Sequence, residues 1–269
     1  MTIKRTRISI VRASQLSRQR WDEAASAWDR FVEEGHDVHR HLLHGPALLK
    51  VVGPVRGKDV LDVGCGQGYF SRQLATRGAR VTGIDWSEGQ IAAAIQHEKA
   101  RHLGIRYLRA DATQLRRVFP KAQFDVVTSC MALMDMTHPD RVFKAITKVL
   151  RPRGRLVFSI THPFSDVSCS WWSRPSQRNH GSRSIDHYFD EYPVVLEWRL
   201  AGTEGMMRAP QWHRTLATWT RYLREAGFAI VSMDEPRPSA QVTKRVRQLR
   251  AWRRVPAQLV IDSRLERID

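Results

Sequence analysis

The sequence predicts an α/β fold: a seven-stranded, mostly parallel sheet, preceded by a helical lid and carrying a cap inserted after the fifth strand. Three observations carry this expectation. Between Gly57 and Ile160, short β-rich runs alternate with longer helical ones, the spacing of strand–helix units whose right-handed crossovers cover a parallel sheet on both faces. A glycine-rich bend, "VLDVGCGQGYF" from Val60 to Phe70, follows the first run directly. Aspartates close the second and third strands, at Asp85 and Asp111, on the sheet edge where such folds open their binding crevice.

Taken in order, Ser14 to Lys50 reads as helices. Trp21, Trp28 and Phe31 fall on one face there, a stripe expected to be core. The sheet strands are expected at 58–63, 79–84, 105–109, 124–129 and 154–160, with helices at about 68–77, 87–102, 113–118 and 138–150. The second of these helices opens on Ser87 as N-cap, followed by acidic Glu88. After Ile160 the alternation stops, and the chain carries Pro163, Pro175, Pro193 and Pro210 with the aromatic pairs Trp171–Trp172 and Tyr188–Phe189. So aromatic a stretch is a poor linker and reads as a cap, with "PVVLEWRL" as a strand inside it. A helix at about 212–226 ended by Gly227 and strands at 228–233 and 257–262 complete the pattern. The expected organisation is a basic arm at 1–20 and one domain at 21–269, with a cofactor-binding core at 57–163 and a substrate cap at 164–211.

At 269 residues and 42% hydrophobic content the chain is large enough to bury a core. No run of 18 apolar residues suggests a membrane span, so no integral membrane contact is expected. Cys65, Cys130 and Cys169 follow neither disulfide nor zinc spacing, which fits a reducing cytoplasm. His36, His39, His41 and His44 cluster without all sharing one helical face, so no metal is expected. Of the formal charge of +17, much sits in residues 1–20 and in Pro236 to Val255, segments with six and seven Lys/Arg and no acid. Both are read as solvated arms, with contact to nucleic acid or an anionic surface as the alternative. A homodimer is left open.

The glycine bend narrows the ligand. Gly64, Gly66 and Gly68 permit tight backbone geometry and let a ligand approach the main chain without meeting a β-carbon. The spacing is G-x-G-x-G, and Tyr69 stands where a dinucleotide motif would place its third glycine. Asp85 is positioned to accept from both ribose hydroxyls and Asp111 to receive an adenine amino group. Asp62, inside the motif, disfavours a pyrophosphate and favours a cation such as an amino acid's ammonium. Together these fit a nucleoside carrying an amino acid. The alternative is that each aspartate merely caps the helix after its strand.

"VLDVGCGQG", "VTGIDWS", "RADATQL", "FDVVTSCMALMDM" and "LRPRGRLVFSITHP" resemble, in order and spacing, the successive motifs of the class I S-adenosylmethionine-dependent methyltransferases. The resemblance covers about residues 57–163, with a weaker echo in "HRTLATWTRYLREAGFAIVSMDEP". It implies a Rossmann-like sheet, S-adenosyl-L-methionine as cofactor and a small-molecule acceptor methylated on oxygen or nitrogen. It also implies that Gly64, Gly66 and Gly68 line the methionine half with Asp62 near its amino group. Asp85 would hold the ribose and Trp86 pack on the adenine. Asp111 and the backbone of Ala112 would take the adenine edge, while Ser129, Cys130 and Met131 lie near the sulfonium. "RPRG" at Arg151 to Gly154 departs from the family's proline followed by two glycines, in a turn expected far from the cofactor.

If the acceptor is protonated, the reaction needs a base. His162 after the fifth strand, His213 after the cap and Asp135 past the fourth strand are the candidates. Trp171, Trp172, Tyr188 and Trp212 are expected to line a flat acceptor, and Arg174, Arg178 and Arg183 would suit an acidic one. A nucleic-acid methyltransferase is the first rival reading. It lacks support after the fourth strand, where "SCMA" stands in place of a base-stacking N/D-P-P-Y/F tetrad. A non-catalytic protein that binds the cofactor is the second.

Overall fold

The computed structural model describes residues 9–173, 181–200 and 206–266. Two helices open it, α1 (Ile10–Glu23) and α2 (Ala25–Glu33), and a π-helical turn (Arg40–His44) leads into α3 (Gly45–Val52). The regular part follows as β1 (Asp59–Val63), α4 (Tyr69–Ala75), β2 (Arg80–Asp85), α5 (Glu88–Ala100), β3 (Arg106–Arg109), α6 (Leu115–Val118), β4 (Phe124–Cys130), α7 (Pro139–Thr147) and β5 (Leu150–Thr161). Two hairpins come next, β6 (Ser170–Trp172) with β7 (Arg183–Ile185) and β8 (Pro193–Arg199) with β9 (Met206–Trp212). The described chain closes with α8 (Leu216–Glu225), β10 (Phe228–Asp234), α9 (Ala240–Arg245) and β11 (Gln258–Leu265).

Seven strands form one sheet in the order β10-β11-β5-β4-β1-β2-β3. Strands β1 to β5 pair in parallel, while β11 runs antiparallel to both its neighbours. The order reverses between β1 and β4, so the crevice of the sheet opens at their carboxyl ends. Alternation along β1 sends Leu61 and Val63 into one core layer, with Phe143, Phe158 and Trp219. Val60 goes into the other, with Phe70, Leu74 and Val126. β5 begins earlier than expected, at Leu150, because the "RPRG" turn is a bulge within the strand. Phe124 pairs with Leu150, the next pair is Val126 with Arg155, and Arg153 takes φ 62.

The lid and cap are arranged differently from the expectation. α1 runs across the boundary drawn at residue 20, capped by the Ser9 hydroxyl, which accepts from Arg12 N. Its Asp22 carboxylate accepts from Ser87 Oγ and Gly89 N at the start of α5, and Asp29 of α2 pairs with His97 of α5 at 2.7 Å. A Cβ at Gly89 would come within 2.8 Å of the Ala25 side chain, so glycine is what allows this close approach. The cap residues Leu200, Met207 and Ala209 pack on Trp21, Trp28 and Phe31, so the cap covers the lid and the lid covers the crevice.

The second basic segment is likewise folded. Trp252 packs edge-on against His39 and Trp172, and Arg254 donates to the Gly181 carbonyl at 2.7 Å. Lys4, Arg5, Arg7, Arg174 and Arg178 lie outside the described residues. Among the described helices none is long and apolar enough to cross a membrane.

Candidate active site

The bend after β1 takes positive φ at all three glycines, 69° at Gly64, 54° at Gly66 and 86° at Gly68. The reasons differ. A Cβ at Gly64 would lie 2.4 Å from the Ala132 side chain, and one at Gly68 would lie 2.3 Å from the Tyr107 hydroxyl. Glycine is therefore demanded there by the protein's own packing. At Gly66 the nearest atom is Gln90 Oε1 at 3.5 Å, so this is where the bend opens onto free space.

That space is a cavity of about 420 Å³ at the carboxyl ends of β1, β2 and β4. Asp62, Gly64, Gly66, Asp85, Trp86, Asp111, Ala112, Cys130 and Met131 all line it. Gly68 and Ser129 do not. Gly68 instead supplies the left-handed N-cap of α4. Ser129 is buried one residue out of phase with Cys130, its hydroxyl without a partner among the described residues.

The three aspartates are held in different ways. Asp62 is fully buried and accepts from Ser71 Oγ at 2.6 Å and Thr128 Oγ1 at 2.9 Å. Burial pushes its carboxyl up to about 6 against these bonds. Asp85 accepts from Gly66 N and Ser87 N, each at 2.9 Å, and burial raises its carboxyl too. Asp111 accepts from Thr113 N and Thr113 Oγ1, both on Oδ1, so this aspartate caps the turn after β3 and also lines the cavity. Asp62 caps no helix, and α5 is capped by Ser87 rather than Asp85.

Arg40 is a wall residue that the sequence reading missed. It enters from the π-helical turn, whose wide loop closes where Gly45 N–H donates to the Arg40 carbonyl; a Cβ at Gly45 would sit 2.3 Å from that oxygen. Asp37 holds the side chain, accepting from Arg40 N at 3.0 Å and Nε at 2.9 Å, and Nη1 reaches Cys130 Sγ at 3.6 Å. Burial pushes the Cys130 thiol up to about 11, so it stays a neutral thiol beside that cation.

Of the three candidate bases, only Asp135 reaches the cavity. It ends a short 3-10 turn, Leu133–Asp135, and lines the cavity next to Met136, its backbone carbonyl accepting from Ser17 Oγ at 3.5 Å. Desolvation raises it to about 8; Asp166 adds repulsion and Arg214 works the other way. Arg214 also braces the loop, donating from Nη2 to the carbonyls of Met136 and Thr137 at 2.8 and 3.0 Å.

His162 and His213 are corrections: neither lines the cavity. His162 is turned to Glu235 at 2.9 Å and accepts from Phe164 N. His213 gives one nitrogen to the Tyr188 carbonyl at 2.7 Å and faces Asp166 with the other at 3.7 Å. Burial opposes its charge, but these partners outweigh it and hold the ring up at about 10. Such a ring is a cationic strut of the cap.

The expected acceptor aromatics are elsewhere as well. Trp172 packs on Trp252, Tyr188 stacks on Phe164 and its hydroxyl accepts from Leu216 N, Trp212 is buried near Arg214, and Trp171 is 43% exposed. Arg183 donates to the Ser165 carbonyl and Ser170 Oγ within the cap. The aromatic walls are instead Trp21 and Trp28 of the lid, edge to face at 5.1 Å, with Ser14, Ser17 and Arg18 beside them. Helical spacing marked this stripe as core, and one face of it does pack on the cap; nothing in the pattern showed that it also closes a cavity.

Residues 61–158 match a family model described as a methyltransferase domain. The chain is 41% identical over 134 residues to the ubiquinone biosynthesis O-methyltransferase of Pseudomonas fluorescens, covering 49% of this chain and 56% of that one. It is 39% identical over 123 residues to the enzyme of the same name from Coxiella burnetii, covering 44% and 51%. The chain thus spans about half the length of the curated relatives it matches. Over 81% of this chain and 96% of the other, it superposes on the crystal structure of an S-adenosylmethionine dependent methyltransferase from Mesorhizobium loti, with a TM-score of 0.68 and 30% identity.

Proposed function

The chain belongs to the S-adenosylmethionine-dependent methyltransferases, and from that premise we propose that it moves a methyl group to a hydroxyl oxygen of a small planar acceptor. The observation that carries this reading is a single cavity whose lining joins Asp62, the glycine bend, Asp85 and Asp111 with Asp135 and the two lid tryptophans.

Asp62 takes the ammonium of the cofactor, and Arg40, a cation lining the same cavity, takes the carboxylate. Asp85 receives the ribose hydroxyls, Trp86 covers the adenine, and Asp111 with the backbone of Ala112 meets the adenine edge. When bound, S-adenosylmethionine supplies an electrophilic methyl on a sulfonium. Cys130 and Met131 flank that position as neutral, polarisable groups that do not compete for the methyl.

Trp21 and Trp28 line the rest of that cavity, where a planar acceptor packs against the indoles away from water. Asp135 accepts the proton that leaves the acceptor hydroxyl as its oxygen takes the methyl. A carboxyl held near 8 is a far better match to a phenolic or enolic O–H than an ordinary one. The O-methyltransferase names of the relatives from P. fluorescens and C. burnetii support oxygen as the target.

The test is a panel of phenols, catechols, amines and short RNAs incubated with methyl-labelled cofactor and either wild type or Asp135→Asn. Label on a hydroxyl oxygen, lost roughly a hundredfold in the variant while affinity for S-adenosylhomocysteine is kept, is the expected result. Label only on amines or RNA, or equal turnover by the variant, contradicts it.

A further inference from the structure

Gln90 is 2% exposed, on the first turn of α5, and lines the cavity. Its backbone N–H donates to Ser87 Oγ at 3.2 Å, but neither its side-chain oxygen nor its side-chain nitrogen has a partner among the described residues. A buried amide left in that state is costly, and a methionine or leucine of similar volume would sit there at less cost. The amide is also aimed: its Oε1 lies beside Gly66, the one glycine of the bend that faces open space, and Gly66 N–H is bonded to Asp85. Gln90, Gly66 and Asp85 thus share one wall.

We propose that Gln90 reads the ribose of the cofactor, its amide bonding the sugar hydroxyls alongside Asp85. This rests on the nucleoside reading of the cavity above. The chemistry follows from what a carboxylate lacks. A vicinal diol presents two O–H donors and also oxygen lone pairs that require donors when water is excluded. Asp85 can only accept, and its two oxygens already accept one backbone N–H each. An amide supplies both a donor and an acceptor, so it completes a set that carboxylate and backbone leave unfinished. A sugar lacking one hydroxyl would leave the buried amide half-paired, which is how polar sites reject close analogues.

Calorimetry with S-adenosylhomocysteine and its 2′-deoxy and 3′-deoxy analogues, on wild type, Gln90→Met and Gln90→Asn, tests this, together with melting of each protein without ligand. Wild type is expected to lose affinity for at least one deoxy analogue. Q90M should melt no lower than wild type, bind S-adenosylhomocysteine about tenfold or more weakly, and no longer distinguish that analogue. Q90N, which withdraws the amide by one methylene, should behave as Q90M does. The proposal is overturned if Q90M binds as tightly as wild type or keeps the same deoxy penalty. It is also overturned if Q90M melts well below wild type or fails to fold, because the amide would then have a structural partner. Wild type that binds S-adenosylhomocysteine while Q90M is unaffected removes only this role; wild type that does not bind it removes the nucleoside reading too.

Discussion

Arg18 of α1 lies over the indole of Trp86, its guanidinium carbon 3.5 Å from the ring centroid. This joins the lid to the residue that follows β2, at the rim of the cavity. The Asp22 carboxylate, one helical turn further on, is bonded to Ser87 and Gly89, so two adjacent contacts latch the same helix. Arg18→Ala should open the latch and speed release of S-adenosylhomocysteine by about three- to thirtyfold, the range of a cation–π contact. Stopped-flow tryptophan fluorescence reads this rate. An unchanged rate would mean that the lid does not gate the cavity.

Asp62 gives the site a pH dependence of its own. Its carboxyl is held at about 6 by burial, and an ammonium beside it favours the charged form. Binding is therefore unhindered above about pH 6 and has to expel a proton below it. The affinity for S-adenosylhomocysteine should fall roughly tenfold per pH unit below 6 and stay level from 6.5 to 7.5, as followed by calorimetry. Asp62→Asn should flatten this fall and bind weakly throughout.

Asp135 makes opposite demands on activity and stability. Turnover of a hydroxyl acceptor should climb as pH rises toward about 8, where the carboxylate form takes over, and then level off. Its folded value lies above the ordinary carboxylate value. The stability it contributes is thus complete at low pH and lost as pH rises through about 8. Asp135→Asn should accordingly lose the pH-dependent turnover yet melt about 2–4 °C higher at pH 8.5. A variant that melts lower would show the carboxylate to be structurally required.

The glycine bend separates packing from binding. Gly64→Ala and Gly68→Ala meet Ala132 and Tyr107 as well as an unfavourable φ, and each should destabilise by about 2–4 kcal/mol in chemical denaturation. Gly66→Ala has room and should cost only about 1–2 kcal/mol. Its methyl group projects toward Gln90, so it should nonetheless weaken cofactor binding most per unit of lost stability. Equal effects of the three substitutions would argue against the division.

That Asp62, Asp85 and Asp111 converge on one cavity was legible in the sequence, because strand ends in a parallel sheet all face one crevice. Asp62 stands one residue before the end of β1, Asp85 ends β2 and Asp111 lies two residues past β3, so placing the strands was enough to find them. Period-two alternation along β4 separates Cys130, which lines the cavity, from Ser129, which does not. Strand ends fix position and leave direction open, so His162 looked suited to the cleft although Glu235 draws it away. The rest of the cavity lining was harder to read. A stripe such as Trp21 and Trp28 has the same spacing whether it is packed on both sides or closes a cavity. Arg40 reaches the site through a π-helical turn, which the 3.6-residue period of ordinary helices does not reveal.

The most direct measurement is calorimetric titration of the folded protein with S-adenosylhomocysteine and, separately, with NADH. Saturable one-to-one heat with the first, abolished by Asp85→Ala, and none with the second is the expected result. Heat with NADH alone would contradict the assignment of the glycine bend and its aspartates to an amino-acid-bearing nucleoside.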